Sequence, residues 1–192
     1  LKAYMIDGTS VFRDITSSDD GSRNPGSGPG EKAGIYLRSA SWPVTLEDIS
    51  VTGAQGSGIL LWKGGAAGYN WTTTQNGGVG IDVREFHPEV VGLTSSMNQL
   101  SGVRIMDSSN VWIEDALTSG NGAIATINSE GAGFSFIRSN DFISSGKNVS
   151  CVNCTSNGDA VGFSIVDSID LQLIGIRSVS PLSGLAISGD GA

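Results

Sequence analysis

The sequence has little charge and no long apolar run. Charged side chains make up 16% of its 192 residues, with 19 acidic against 11 basic ones, so the net charge is −8. A negative surface disfavours nucleic acid as a partner, because phosphate binding needs a basic face. No apolar stretch approaches the roughly 18 residues that a membrane-spanning helix needs. We therefore expect neither a nucleic-acid partner nor membrane insertion.

Metal ligands are also scarce. One histidine and two cysteines are too few for a zinc site, and we expect no metal and no cofactor. Cys151 and Cys154 have the C-x-x-C spacing of redox and metal motifs. They fall, however, on positions that apolar residues occupy in other repeats. We interpret them as small, reduced core residues rather than as a disulfide.

Glycine is abundant, at 28 residues, and it recurs regularly. Seven times a glycine precedes a large apolar residue, any residue and a second large apolar residue. The intervals between copies are 24, 22, 22, 31, 29 and 22 residues. A period near 22 in a sequence poor in helix formers is typical of a β-solenoid, in which each repeat is one coil. The copies begin at Gly34, Gly58, Gly80, Gly102, Gly133, Gly162 and Gly184.

A second pattern alternates with the first and consists of two apolar residues three apart around Asp, Asn or Gly. Side chains three apart face opposite sides of a straight strand, so both can face inward only if the chain bends between them. Asp, Asn and Gly tolerate the left-handed conformation that such a bend needs. The copies are Phe12–Ile15, Leu46–Ile49, Val90–Leu93, Ile113–Ala116, Cys151–Cys154 and Leu173–Ile176.

The two patterns together predict which residues are buried and which segments are loops. In the glycine-initiated strands, the first and third residues after glycine should face the core. Segments 17–33, 63–78, 119–131 and 139–147 are predicted surface loops. The predicted buried pairs are Ile35/Leu37, Ile59/Leu61, Ile81/Val83, Val103/Ile105, Phe134/Phe136, Phe163/Ile165 and Leu185/Ile187.

Two stretches carry a family resemblance: Ser108-Ser-Asn-Val-Trp-Ile-Glu-Asp115 and Gly146-Lys-Asn-Val-Ser-Cys-Val-Asn-Cys-Thr-Ser-Asn-Gly158. Each precedes a glycine-initiated strand and resembles the repeats of right-handed parallel β-helices, the pectate-lyase-like fold. The resemblance covers about residues 34–188 and implies an all-β, right-handed parallel β-helix. We expect about seven coils of about 22 residues in a single domain over residues 1–192, interpreted as part of a longer solenoid.

The resemblance is specific for fold and unspecific for activity. The Gly-His-Gly and Arg-Ile-Lys motifs of polygalacturonases and the Asp-Pro-His-Asp motif of uronan epimerases are absent. Within the fold, the chain is most similar to bacteriophage tailspikes that depolymerise polysaccharides. This similarity implies an extracellular or virion location and a homotrimer.

Alternation predicts a candidate site on the outer side of the glycine-initiated strands. Aromatic rings stack on sugar rings and Arg binds carboxylates, so Tyr36, Trp62, Arg84 and Arg104 are candidate carbohydrate-binding residues. Asp82, Glu85 and His87 are candidate catalytic acids and bases. In the alternative interpretation, Asp82 and the two arginines form a solvated charge ladder and His87 is a surface residue.

Two functions remain open from the sequence. The first is binding of an extracellular polysaccharide, with cleavage as a glycoside hydrolase or polysaccharide lyase if the protein is an enzyme. The alternative is a non-catalytic structural or adhesive rod in a virion appendage or on a cell surface. The outward residues Met106, Ile137 and Val166 form an apolar stripe suited to trimer contacts. An ice-binding solenoid would show matched rows of outward Thr; the outward rows of the glycine-initiated strands are mixed, so this class is set aside.

Overall fold

A computed structural model of the chain describes residues 2–4, 10–18, 32–40, 44–123, 131–139, 149–179 and 183–188. Among these residues the secondary structure is β-strand, and no helix is long and apolar enough to cross a membrane. The strands are β1 Lys2–Tyr4, β2 Ser10–Ser18, β3 Ile35–Ala40, β4 Val44–Thr52, β5 Ile59–Thr74, β6 Ile81–Ser96, β7 Val103–Met106, β8 Val111–Ser119, β9 Ala132–Ile137, β10 Val149–Val152, β11 Thr155–Asn157, β12 Val161–Val166, β13 Leu171–Ile174, β14 Arg177–Val179 and β15 Ser183–Ser188.

The glycine-initiated strands lie side by side in one parallel sheet. The order in this sheet is β1-β3-β5-β6-β7-β9-β12-β15, so the strands of the seven glycine repeats follow β1 in chain order. Equivalent residues pair between coils, as in Ile59 opposite Ile81 and Ile81 opposite Val103. The prediction of an all-β parallel solenoid is confirmed.

Among the described residues, those in the left-handed backbone region mark up to three corners of a coil and divide its strands into three faces. The first face is formed by the glycine-initiated strands, and the second and third faces follow along the chain. Corners between the first and second faces are Lys63, Glu85, Asp107, Arg138 and Asp167. Corners between the second and third faces are Asp14, Asp48, Asn70, Gly92, Asp115, Asn153 and Gly175. Corners after the third face are Gly53, Gln75, Met97, Gly120 and Gly158. The bends predicted at Asp, Asn and Gly in the second pattern are therefore confirmed.

One apolar core runs through the stack and is filled by the inward residues of both sequence patterns. Of the seven predicted pairs, the first five are buried, and in the sixth Phe163 is buried while Ile165 is partly exposed. The prediction was wrong for Leu185 and Ile187, which are 46% and 70% exposed. Their strand, β15, is last in the strand order, and within the described residues no further coil covers them.

The loop predicted over residues 63–78 is instead mostly strand. Strand β5 continues through its corners to Thr74 and pairs with β4 and β6 on the second and third faces. This coil lacks a clear copy of the second pattern because Gly68 stands where the first apolar residue would be. Glycine is needed there, since a Cβ at Gly68 would lie 2.3 Å from the ring of Trp71. Trp71 fills the space of two side chains, is fully buried, and donates from Nε1 to the Leu46 carbonyl at 3.0 Å. Most residues of the other three predicted loops lie outside the described residues.

A ladder of buried amides ties successive coils together where the third face ends. Asn76 donates from its backbone N and from Nδ2 to Oδ1 of Asn98, at 3.1 and 2.8 Å. Asn98 makes the same two bonds to Asn121, at 3.0 and 2.9 Å, and Asn121 makes them to Asp159, both at 2.7 Å. Ala54 begins the ladder by donating its backbone N to Oδ1 of Asn76. Each step satisfies buried polar groups that would be costly if left unpaired.

The ladder explains why the first pattern requires glycine in four of its copies, those of Gly58, Gly80, Gly102 and Gly133. A Cβ added at Gly80 would lie 2.1 Å from Ser95 Oγ and 2.6 Å from Asn98 Nδ2. At Gly102, the added atom would lie 2.8 Å from Asn121 Nδ2. The polar side chains of one coil therefore occupy the space that a side chain at the glycine position would need.

The third face also carries two columns of side chains on its outer side, two and four residues after each corner residue that precedes it. Parallel pairing aligns each column from coil to coil. The first column is Thr16, Ser50, Thr72, Thr94, Leu117 and Thr155. The second column is Ser18, Thr52, Thr74, Ser96, Ser119 and Asn157. In β14 the two columns continue as Arg177 and Val179. We call the columns from β2 to β11, which end before these two residues, the hydroxyl face.

The prediction of reduced cysteines was wrong, because Cys151 and Cys154 form a disulfide. Both are buried, as predicted, and Cys151 lies in register with Ile113 and Leu173. The positive φ of Asn153 turns both side chains inward and leaves their Cα atoms 5.9 Å apart. This separation lies within the range that a disulfide spans, so the bend that makes both residues core residues also brings their sulfurs together.

The glycine requirement predicts unequal effects of the same substitution in two coils. We expect Gly80→Ala to lower the free energy of unfolding by about 3 kcal/mol, because the new methyl group overpacks the ladder. The control is Gly184→Ala, where the added atom would meet Ser178 no closer than 3.7 Å, and we expect a change below about 0.5 kcal/mol. Urea unfolding of both variants measures the difference, and equal losses would contradict this account.

Candidate functional site

Asp82 lies on the outer side of the first face and is completely buried. It belongs to a row in which parallel pairing aligns it with Leu60 on one side and Arg104 on the other. The row was predicted to face solvent, and that prediction was wrong for Tyr36, Leu60, Asp82, Ser135 and Ser164, which are at most 4% exposed. The reason is that large side chains on this face bury one another, since Tyr36, Leu60 and Ala33 form a second apolar cluster against Trp62.

Two arginines enclose the Asp82 carboxylate. Arg104 donates from Nε to Oδ1 at 3.0 Å and from Nη2 to Oδ2 at 2.7 Å. Arg84 donates from Nε and Nη2 to Oδ2, at 3.0 and 2.6 Å. The Arg104 side chain is 11% exposed and that of Arg84 is 32% exposed. Three of the predicted site residues are therefore in direct contact, and together they carry a net charge of one positive unit.

The arginines set the protonation state of Asp82. Burial by itself raises the pKa of this carboxyl, but the hydrogen bonds and positive charges of Arg104 and Arg84 outweigh burial and hold the pKa below its usual value. Asp82 is thus a permanent anion at neutral pH, with its oxygens directed at guanidinium groups. A general acid must carry a proton to donate, so this geometry favours an electrostatic and structural role for Asp82.

Trp62 is the centre of a second group at the edge of the same face. Its ring is partly buried, with the Arg38 guanidinium carbon 4.7 Å and Lys63 Nζ 5.9 Å from the ring centroid. Trp62 Nε1 donates to Glu85 Oε1 at 3.3 Å, and Lys63 Nζ lies 3.5 Å from Glu85 Oε2. We call Arg38, Trp62, Lys63 and Glu85 the tryptophan cluster. The partnership of Trp62 with Lys63 and Glu85 was not predicted, because both partners are corner residues that strand alternation does not describe.

The candidate acids and bases do not converge on one point. Glu85 is a corner residue with φ of 48°, and beyond it the chain turns onto the second face. His87 lies on that second face, is exposed, and contacts the carbonyl oxygen of Ser109 through Nδ1. Asp82 and His87 therefore belong to different faces of the coil. Among the described residues, no three His, Cys, Asp or Glu side chains come together in an arrangement for a metal ion.

The remainder of the face is less polar. Ser135 follows Arg104 in the buried row, and its hydroxyl oxygen has no hydrogen-bond partner. In the neighbouring row, Met106, Ile137 and Val166 are partly buried rather than fully exposed. The first face thus changes from aromatic and charged groups in its first coils to small and apolar ones in its later coils.

Comparison of the chain with protein-family models, with curated proteins and with solved structures finds no match in any of the three.

The enclosed carboxylate predicts a pH-dependent contribution to stability. The folded-state pKa of Asp82 lies below the unfolded value, so its contribution is complete above about pH 4 and is lost as the pH falls through the folded-state pKa. We expect Asp82→Asn to lower the unfolding free energy by about 3 kcal/mol at pH 7, because two arginines lose their buried counter-charge. The difference from wild type should shrink below about pH 4.

Urea unfolding over a pH series measures this effect. The matched control is Asp115→Asn, an exposed corner residue, for which we expect a change below about 0.5 kcal/mol. A loss in Asp82→Asn that is the same at pH 3 and pH 7 would contradict the assignment of the effect to the carboxylate charge.

Proposed function

We propose that the chain binds an extracellular polysaccharide along the outer side of its first face, as part of a tailspike-like appendage of a virion. The observation that carries the proposal is the tryptophan cluster, in which a partly exposed ring is oriented by Glu85 and flanked by two cations. A ring held in this way can pack against a sugar ring, and the nearby arginines can donate hydrogen bonds to the polar groups of the sugar. Stacked coils extend this surface by about 4.8 Å per strand, as a polymer requires.

The geometry supports binding more strongly than cleavage. Hydrolysis of a glycosidic bond uses two carboxyl groups, one of which donates a proton. Asp82 keeps a lowered pKa between two arginines, and Glu85 is engaged by Trp62 and Lys63. Catalytic roles for Asp82, Glu85 and His87 therefore stay predictions, and a depolymerase would need a further proton donor near this face.

A rod without a glycan ligand is the second candidate, and one observation favours it. The amide ladder and the Asp82 ion pairs satisfy their polar groups internally. Such groups stabilise a stack of coils whether or not a ligand binds. In the first candidate the tryptophan cluster binds a glycan, and in the second it has no ligand.

A pair of tryptophan variants separates them. Trp62→Ala should weaken binding to a recognised polysaccharide by about 1–1.5 kcal/mol through lost ring contact. The control is Trp112→Ala on the second face, where the ring is 41% exposed and bonded to Glu114, and it should bind as wild type does. Glycan arrays followed by calorimetry measure both. Absence of binding to any glycan, or equal losses in both variants, would favour the rod.

The assembly that we propose is a homotrimer in which the partly exposed stripe of Met106, Ile137 and Val166 contacts neighbouring copies. Apolar stripes on a rigid surface mark association sites. We expect light scattering to give three times the mass of one chain for wild type, and Ile137→Lys to shift the protein toward the monomer. Ser188→Lys, an exposed position in the same row of the last coil, serves as the control. A wild-type monomer at high concentration would contradict the trimer.

A further inference from the structure

The hydroxyl face has a composition unlike the rest of the molecule. Ten of its twelve positions are Ser or Thr, and the exceptions are Leu117 and Asn157. From β2 to β11 neither column carries a charged side chain, and Arg177 follows Thr155 in the first column in β14. The second face, by contrast, carries Glu47, Glu89 and Glu114 on its outer side. A face of hydroxyl and methyl groups without charge has weak and uniform hydration.

The columns form a regular two-dimensional array. Neighbouring strands are about 4.8 Å apart, and positions two residues apart along a strand are separated by about 6.6 Å. Pairing in register from β2 to β11 repeats the first spacing over six coils. One pair of neighbours in the second column is in direct contact, since the hydroxyl oxygens of Thr74 and Ser96 are 3.0 Å apart. The array therefore repeats along two perpendicular directions.

The core behind this face holds the array in place. Between the two outer columns, the inward residues of the third face are also hydroxylic except Val51, and Thr73 donates to Ser95 at 2.9 Å. Ser95 in turn donates to the Gly102 carbonyl at 2.7 Å and accepts from Asn98 at 3.0 Å. The amide ladder lies directly after these residues in the chain. A backbone bonded on its inner side in this way keeps its outer spacing fixed.

We propose that the hydroxyl face binds ice. Its two spacings are close to the two repeats of oxygen atoms on a prism face of an ice crystal, and a hydroxyl at each point can replace one water in the surface lattice. The threonine methyl groups fill the gaps between those waters, and no charged side chain lies within the face, which Arg177 borders in β14. The face holds no aromatic ring, so it lacks the stacking surface that a crystalline polysaccharide would use. This function is independent of glycan binding on the first face.

The glycine-initiated strands by themselves do not indicate ice binding, because their outward rows are mixed. From β2 to β11 the matching hydroxyls lie on the third face, two and four residues after the Asp, Asn or Gly at the bend. Inward and outward residues that alternate from each bend, rather than from each glycine, predict both columns from the sequence.

Incorporation of the full chain into slowly growing ice, together with thermal hysteresis, tests the proposal. Wild type should concentrate in the ice fraction and should depress the freezing point below the melting point. Thr94→Lys, at an exposed central position, should lower incorporation by about tenfold or more, because an unpaired charge at a dry interface is strongly unfavourable. Leu117→Thr completes the first column and should increase both signals.

The matched control is Thr45→Lys, the same change on the second face, and it should behave as wild type. Circular dichroism near 0 °C verifies that each variant is folded. Exclusion of wild type from ice would overturn the proposal, as would equal losses in Thr45→Lys and Thr94→Lys. Exclusion from ice combined with Thr94-dependent retention on crystalline cellulose or chitin would overturn it in favour of a polysaccharide crystal. Exclusion combined with self-association that Thr94→Lys abolishes would overturn it in favour of contact between copies.

Discussion

The buried amide ladder is the constraint on which the rest of the structure depends. Asn76 and Asn98 each donate to the next coil twice, from the backbone N and from Nδ2. These bonds fix the register of the coils at the point where the third face ends and the next glycine-initiated strand begins. Glycine is needed there because the ladder occupies the space of a side chain. A one-residue slip would reverse the inward and outward sides of every strand, so the same contact keeps the core closed.

Asp159 ends the described ladder with a different chemistry. Its Oδ1 accepts the two bonds from Asn121, and its Oδ2 accepts from Thr118 and Ser156 at 2.7 and 2.6 Å. A carboxylate can accept all four bonds, whereas an amide at this position would present only one acceptor oxygen. The change from Asn to Asp therefore matches the change in neighbours.

Fixed register divides the surface into faces with separate chemistry. On the first face, Asp82 is neutralised by two arginines and Trp62 is held among cations and Glu85. On the third face, hydroxyls repeat without charge from β2 to β11. Because each face contains one strand segment per coil, a property repeated in sequence at the coil period becomes a continuous column in space. The two proposed binding surfaces therefore use one scaffold without sharing residues.

The sequence by itself determined the repeat, the bends and nearly all of the core, because strand alternation and left-handed residues are local properties of the chain. It did not determine which outer residues are exposed: Tyr36 and Asp82 alternate outward, but Trp62 and the arginines cover them. It placed Cys151 and Cys154 in the core, whereas their bonding depended on a bend that brings their Cα atoms to 5.9 Å. Only the tertiary structure decided these points, since each depends on side chains that meet across coils or around a corner rather than along one strand.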